Sequence, residues 1–264
     1  MALLRFGPCR HRLVGVLTLA LVAPWANAQS TSSSHLVSTD TGYVLPKGKW
    51  EIGLDGRFFG EKESNGYGGV QGYYGLGDGL GLTLKGAFGS RKTFFGNGFG
   101  VRYGGTDVEG QVRYAFKDAP GLSVAAGAAF PDTPAQKDVF FTAAVNYRLP
   151  VDKIGLYVGA RGEYRENGSV TALTFGADYA LTPEWSLLGD VAALVDGENS
   201  FSSSNARRQK TATFGVAFRY TPMNSPNMAY MVGVTNAIGS TTGFGNTAAF
   251  SGTTGVFVGL NFKG

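Results

Sequence analysis

The stretch KWEIGLDGRFF, residues 49–59, alternates two kinds of side chain. Trp50, Ile52, Leu54 and Phe58 are apolar, while Glu51, Asp55 and Arg57, on the other parity, are charged. A period of two is that of a β-strand, whose successive side chains point to opposite faces. A soluble sandwich turns its apolar face inward. A membrane barrel does the reverse, with apolar groups toward lipid and polar ones toward a lumen. The rest of the chain has to separate the two.

The same alternation, bounded by turn residues, recurs to the end of the chain. Strands are expected over 49–60, 68–76, 80–88, 107–116, 122–130, 139–149, 154–164, 170–181, 185–195, 211–220, 228–238 and 255–264. One set of connections is short and rich in turn formers: Gly77-Asp78-Gly79, Lys117 to Gly121, Pro150 to Lys153, Thr182-Pro183-Glu184 and Thr221 to Asn227. The other set is longer and polar: Glu61 to Gly68, Ser90 to Thr106, Pro131 to Asp138, Arg165 to Ser169, Asp196 to Gln209 and Gly239 to Thr253. Short turns at one end and longer loops at the other describe an all-β fold, a transmembrane up-and-down antiparallel β-barrel. The count is about twelve strands, with ten or fourteen as alternatives. GFGVRYGG (98–105) alternates out of phase with 107–116 and reads as a bulged strand extension or as loop.

Aromatic position favours the membrane. On this topology Trp50, Tyr74, Tyr114, Tyr147, Tyr179, Trp185, Tyr220, Tyr230 and Phe262 all fall near the short-turn end, on the apolar face. A buried core has no reason to sort Trp and Tyr to one rim, whereas a membrane interface does. Phe58, Phe88, Phe130, Phe141 and Tyr164 sketch a second belt at the far end. Closure completes the argument, because an unpaired strand edge is prohibitively costly in lipid.

The first residues read as a secretory signal peptide. Arg5, Arg10 and Arg12 precede an apolar run from Leu13 to Ala23, and Ala26-Asn27-Ala28 forms a cleavage site. The run is far shorter than the roughly 20 residues of a spanning helix. Cys9 precedes the apolar run, which does not suit a lipoprotein. Residues 1–28 are therefore expected to be cleaved, 29–47 to form a mobile, Ser/Thr-rich periplasmic tail, and 48–264 to form the barrel. The expected location is the outer membrane of a Gram-negative bacterium, with both termini periplasmic. The signal carries three of the 23 Lys and Arg and none of the 19 acids, so the mature balance is 20 against 19. No basic field for nucleic acid remains.

GYVLPKGKWEIGL (42–54), followed by alternating strands to a terminal VGLNF, resembles the outer-membrane barrels grouped under the phenol-degradation meta-pathway name. In that family a Leu-Pro-x-Gly-x-Trp-Glu-type phrase leads into the first strand. The resemblance implies a barrel that moves small hydrophobic or aromatic compounds. The chain departs from the usual barrel ending, since Lys263 and Gly264 follow Phe262.

Inward residues are the candidates for transport chemistry. The strand phase turns Glu51, Asp55, Arg57, Lys85, Glu109, Arg113, Arg148, Arg161, Glu163, Asp178, Asp190, Arg219 and Lys263 to the lumen. They either bridge one another as a charge plug that supports a narrow barrel, or set a field across a pore. Inward Phe59, Tyr73, Phe140, Tyr157 and Phe257 either stack a solute or fill space.

Enzyme signals are weak. After cleavage the one histidine is His35, in the tail, and no nucleophile motif accompanies Glu109 or Asp190. GLGDGLG (75–81) and GNGFGV (96–101) have no following helix to make a phosphate loop. No Cys/His cluster marks a metal site, and no cofactor is expected. NARRQK (205–210) reads as a solvated basic loop or a contact for lipopolysaccharide. The expected function is an outer-membrane channel or facilitated-diffusion transporter for small organic solutes. The alternative is a non-conducting structural or surface-interaction barrel with a plugged lumen. The expected partners are lipid, lipopolysaccharide and a small solute.

Overall fold

The computed structural model describes residues 34–60, 65–89, 105–132, 139–151, 154–164, 169–201, 208–249 and 253–264. The expected signal peptide, and all of the 98–105 stretch except Gly105, lie outside these residues. The strands are β1 Trp50–Phe59, β2 Asn65–Gly77, β3 Leu80–Gly89, β4 Gly105–Ala115, β5 Leu122–Asp132, β6 Phe140–Val151, β7 Ile154–Tyr164, β8 Val170–Ala180 and β9 Trp185–Asp196. They continue as β10 Ser200–Phe201, β11 Arg208–Gln209, β12 Thr213–Tyr220, β13 Met228–Thr235 and β14 Gly255–Lys263, with one short helix, α1, over Thr242–Asn246. β10 and β11 pair as a ribbon in the connection after β9. The other twelve strands form a closed antiparallel barrel in which each pairs with its neighbours along the chain. β1 and β14 seal it, in a register from Glu51↔Lys263 to Phe58↔Val256.

Each strand alternates as its sequence does, and burial identifies the faces. Ile52, Leu54 and Phe58 are exposed on the outside, while Glu51 and Arg57 are fully buried inside. The short-turn rim carries the expected aromatics. Trp50, Tyr74, Tyr114, Tyr179, Trp185 and Tyr230 are exposed, and Tyr147, Tyr220 and Phe262 are half-buried. Register sets them side by side: Trp50 faces Tyr74, and Tyr220 lies between Trp185 and Tyr230. At the other end Phe58, Phe88, Phe130, Phe141 and Tyr164 are exposed. The two-residue hairpin between β2 and β3 has Gly77, Asp78 and Gly79 all at positive φ, the turn chemistry that Gly and Asp permit at least strain. The predicted polar connection Glu61 to Gly68 is shorter than expected, because Asn65 already pairs with Phe59.

The interior departs from the sequence reading. Ser34–Thr39 and Thr41 are not a mobile appendage but are buried within the barrel. The stretch read as an external loop, Gly239 to Thr253, also turns inward, and Asn236 to Thr242, Asn246, Ala248 and Ala249 are buried. The physical reason lies in the wall. A small barrel is filled by its own side chains, and twelve strands enclose more space than that. Many inward positions here are small, including Gly53, Gly176, Gly215, Ala125, Ala129, Ala172, Ala192 and Ala217. The remaining inward positions are rich in buried charge, which must be paired. A polar chain segment supplies both volume and hydrogen-bonding groups.

Candidate functional site

The candidate site is this occupied interior. Residues 34–41 form a tight loop, closed by hydrogen bonds from Thr41 N to Ser34 O (3.1 Å) and from Leu36 N to Thr39 O (2.8 Å). Its tip presents successive backbone N–H groups, a natural receptor for an anion. Asp190 of β9 occupies it. The Asp190 carboxylate accepts from Val37 N (3.0 Å), Ser38 N (2.7 Å) and Thr39 N (2.9 Å), and from the Ser38 and Thr39 hydroxyls (2.9 and 3.1 Å).

Charges from other strands hold the same segment. Arg57 of β1 donates to Val37 O at 2.8 Å, and Arg161 of β7 to Ser38 O at 2.7 Å. Glu51 accepts from Ser34 N at 3.1 Å and lies 3.7 Å from His35 Nδ1. Lys85 and Arg113, from β3 and β4, each reach Asp40 Oδ2 at 2.8 Å. The Tyr73 hydroxyl lies 2.9 Å from Asp40 Oδ1 and 2.8 Å from Gln71 Oε1. Burial pushes the Asp40 carboxyl up; the Lys85 ammonium and Arg113 guanidinium override this and hold it well below the usual carboxylate range. Its contribution is therefore fully present above about pH 4 and is lost only as pH falls through that depressed value. Burial lowers the His35 pKa against the opposing pull of Glu51 and Asp40, and the ring stacks on Tyr73 at 5.8 Å.

The second internal segment, 236–249, is held by β4 and by β12, where Thr213 Oγ1 donates to Gly245 O at 2.9 Å and Phe214 N to Asn236 Oδ1 at 2.7 Å. Thr242 donates to Glu109 from both its N–H and its hydroxyl, each at 2.6 Å, and Thr241 Oγ1 donates to Asp107 at 2.5 Å. Arg57 also donates to Ala237 O at 2.9 Å, and Arg161 to Asn246 Oδ1 at 2.6 Å. These two arginines thus tie both segments to the wall.

The loop also has an apolar side. Leu36 and Val37 pack with Tyr157, Leu188, Ala217, Met231 and Phe257. Two wall glycines make room for them. A Cβ at Gly215 would lie 2.5 Å from Val37 Cβ and Cγ1, and one at Gly176 would run into Leu36 Cδ1. Gly215→Val should therefore lift the loop off the wall, at about 1–3 kcal/mol of overpacking. The barrel should survive, seen as heat-modifiable gel migration, while proteolysis within residues 34–42 accelerates about tenfold or more. Unchanged cleavage would mean that the loop is not seated on this glycine.

The inward charges named from the sequence all lie on the wall's inner side. Glu51, Asp55, Arg57, Lys85, Glu109, Arg113, Arg161, Asp178, Asp190 and Arg219 are buried or nearly so, while Arg148, Glu163 and Lys263 are half-buried. Phe59, Tyr73, Phe140, Tyr157 and Phe257 are buried. The expected bridging of wall charges by each other is seen in Arg57–Asp55 at 3.0 Å. The pairs that organise the centre run instead between wall and internal segments. Sequence reasoning missed Asp40, Asp107, Thr241, Thr242 and Asn246. Asp107 was detectable, two residues before Glu109 and in phase with it. The others sit in stretches without periodicity.

The GYVLPKGKW phrase has a visible role. Tyr43 to Leu45 are half-buried and Pro46 to Lys49 exposed, so the phrase carries the chain out of the interior at the short-turn end. Gly42 and Gly48 take positive φ there. Gly48 N bonds Gly75 O at 2.8 Å, which fixes the approach to β1. Of NARRQK, Lys210 donates to Val195 O at 2.9 Å, and residues 205–207 lie outside the described ones. Among the described residues no group of His, Cys, Asp and Glu is arranged to hold a metal.

No family model and no curated protein sequence is similar to the chain. Solved structures are. The NanC porin is 11% identical with a TM-score of 0.55, over 80% of this chain and 98% of that one. An outer membrane channel from Pseudomonas putida F1 is 12% identical with a TM-score of 0.52, over 83% and 96%. The KdgM porin in complex with disordered oligogalacturonate is 14% identical with a TM-score of 0.51, over 80% and 98%. At these identities the likeness is one of fold, the closed β-barrel of outer-membrane porins.

Proposed function

We propose that this chain is an outer-membrane channel for small organic solutes, hydrophobic and aromatic ones among them, which its own residues 34–42 close at rest. The observation that carries the reading is a closed barrel with an apolar outer wall whose interior is filled by a segment contributing no strand. Because that loop is held by side-chain contacts and not by the sheet ladder, it can leave without opening the barrel. The two aromatic belts suit membrane interfaces, with the short-turn end toward the periplasm and lipid or lipopolysaccharide around the wall. The resemblance of the 42–54 phrase to the meta-pathway barrels supports the solute class. Among the described residues His35 is the one histidine, and it is packed in the loop, which argues for transport over catalysis.

The filled interior also favours a second reading, a non-conducting barrel. The 236–249 segment is tethered at both ends, by β13 and β14, and does not leave as freely. Planar-bilayer recording separates the two readings. The intact chain should give rare, short conductance steps, and a variant lacking Ser34–Gly42 should give persistent ones. If neither conducts and neither swells liposomes with any small solute, the channel reading fails and the non-conducting barrel stands.

A further inference from the structure

Asp40 is held by three donors from three adjacent strands: Tyr73 on β2, Lys85 on β3 and Arg113 on β4. Two cations, both buried, converge on one oxygen of the largely buried Asp40 carboxylate at 2.8 Å. The cradle is also under-used. Arg113 is buried, yet its Nη1 and Nε have no hydrogen-bond partner among the described residues. A guanidinium is a planar fork that binds a carboxylate through two N–H groups, and here one is engaged. The wall thus offers more to a carboxylate than the short Asp40 side chain accepts. The same loop presents Leu36 and Val37 to an apolar patch on the opposite wall, from β7 round to β14.

We infer that Tyr73, Lys85 and Arg113 form a receptor site for the carboxylate of a small organic acid with an apolar body. Asp40, together with Leu36 and Val37, is the built-in occupant that such a solute replaces. The inference deepens the channel reading, on which it rests for the solute's passage. Its physical basis is charge balance. Withdrawing Asp40 takes from the buried Lys85 and Arg113 the carboxylate that both contact, which is unfavourable. An incoming carboxylate restores the balance, whereas a neutral or cationic solute does not. Glu109, opposite Lys85 in the β3–β4 register, is already engaged by Thr242 and Gln111, so it does not take Asp40's place.

The test uses the full chain, refolded in detergent and verified by heat-modifiable migration. Calorimetric titration compares benzoate with benzamide and benzylammonium. Asp40→Asn removes the internal competitor and keeps the cradle. It should bind benzoate at least tenfold more tightly than the unaltered chain does, and at least tenfold more tightly than it binds benzamide. Adding Arg113→Gln, or Lys85→Met should the first variant not fold, should abolish that preference. Equal binding of benzoate and benzamide by Asp40→Asn, or no benzoate binding, overturns the inference. Bilayer recording keeps the two readings apart. Conductance without carboxylate preference sinks the cradle and spares the channel; benzoate binding without conductance does the opposite.

Discussion

Arg57→Met should loosen both internal segments at once and turn a rarely conducting barrel into a persistently conducting one. Arg57 is fully buried, and its three donor positions serve three different elements. Nη2 holds Val37 O, Nη1 holds Ala237 O at 2.9 Å, and Nε holds Asp55 Oδ1 at 3.0 Å. Its guanidinium also lies 5.5 Å from the Phe257 ring centre. Methionine keeps the aliphatic stem and removes every donor. Two carbonyls then lose a charged partner, at about 1–3 kcal/mol for each one left buried and unpaired. Breaking the buried pair with Asp55 adds about 3–5 kcal/mol. The Asp55 pair lies within β1, so docking of the internal segments loses only the two carbonyl contacts; together these are worth about 4 kcal/mol, which would raise the undocked population about 10³-fold. The sheet ladder is untouched, so heat-modifiable migration should persist. The measurement is open probability in planar bilayers. A folded Arg57→Met barrel that stays as closed as the parent would remove Arg57 as the common tie.

Asp190→Ala should release the loop at 34–41 and leave the 236–249 segment in place. Its carboxylate satisfies three consecutive backbone N–H groups and two hydroxyls. Charge-assisted hydrogen bonds contribute about 1.5–3 kcal/mol each, non-additively when they share one acceptor. A loss of about 3–4 kcal/mol, a few hundred-fold in population, is expected for the group as a whole. Hydrogen exchange at Val37, Ser38 and Thr39 should accelerate by that factor, while Ala248 and Ala249 keep their protection. Asp190→Asn should fall between, because an amide presents an N–H₂ group to donors that need an acceptor. Since Arg57 touches both segments and Asp190 only one, the conductance of Asp190→Ala should be the smaller. Equal exchange rates in parent and variant would show that the other wall contacts suffice to hold the loop.

Much of the wall was legible in the sequence because it is local. Glu51 and Arg57 against Ile52 and Leu54 is a statement about one strand's two faces, and backbone geometry imposes it without reference to any other residue. The turn at Gly77-Asp78-Gly79 is equally local. The contents of the lumen were not legible. QSTSSSHLVSTD has the composition of a solvated tail, and nothing within it says that Asp40 meets Lys85 and Arg113. Asp190 reads as one more inward charge. Its partners lie about 150 residues earlier, and only closure of the barrel brings them within reach.

By itself, the sequence determined the strand period, the turn positions, the sorting of aromatics to the two rims and the choice of charge for the inner face. Each follows from the pleat, from turn stereochemistry or from the apolarity of the medium outside, and all act over a few residues. The tertiary structure alone decided what fills the interior. Closing twelve strands created a cavity larger than their side chains occupy, lined with buried charges that had to be paired. The segments able to meet that requirement were those with free backbone N–H and C=O groups, the loop before β1 and the connection before β14.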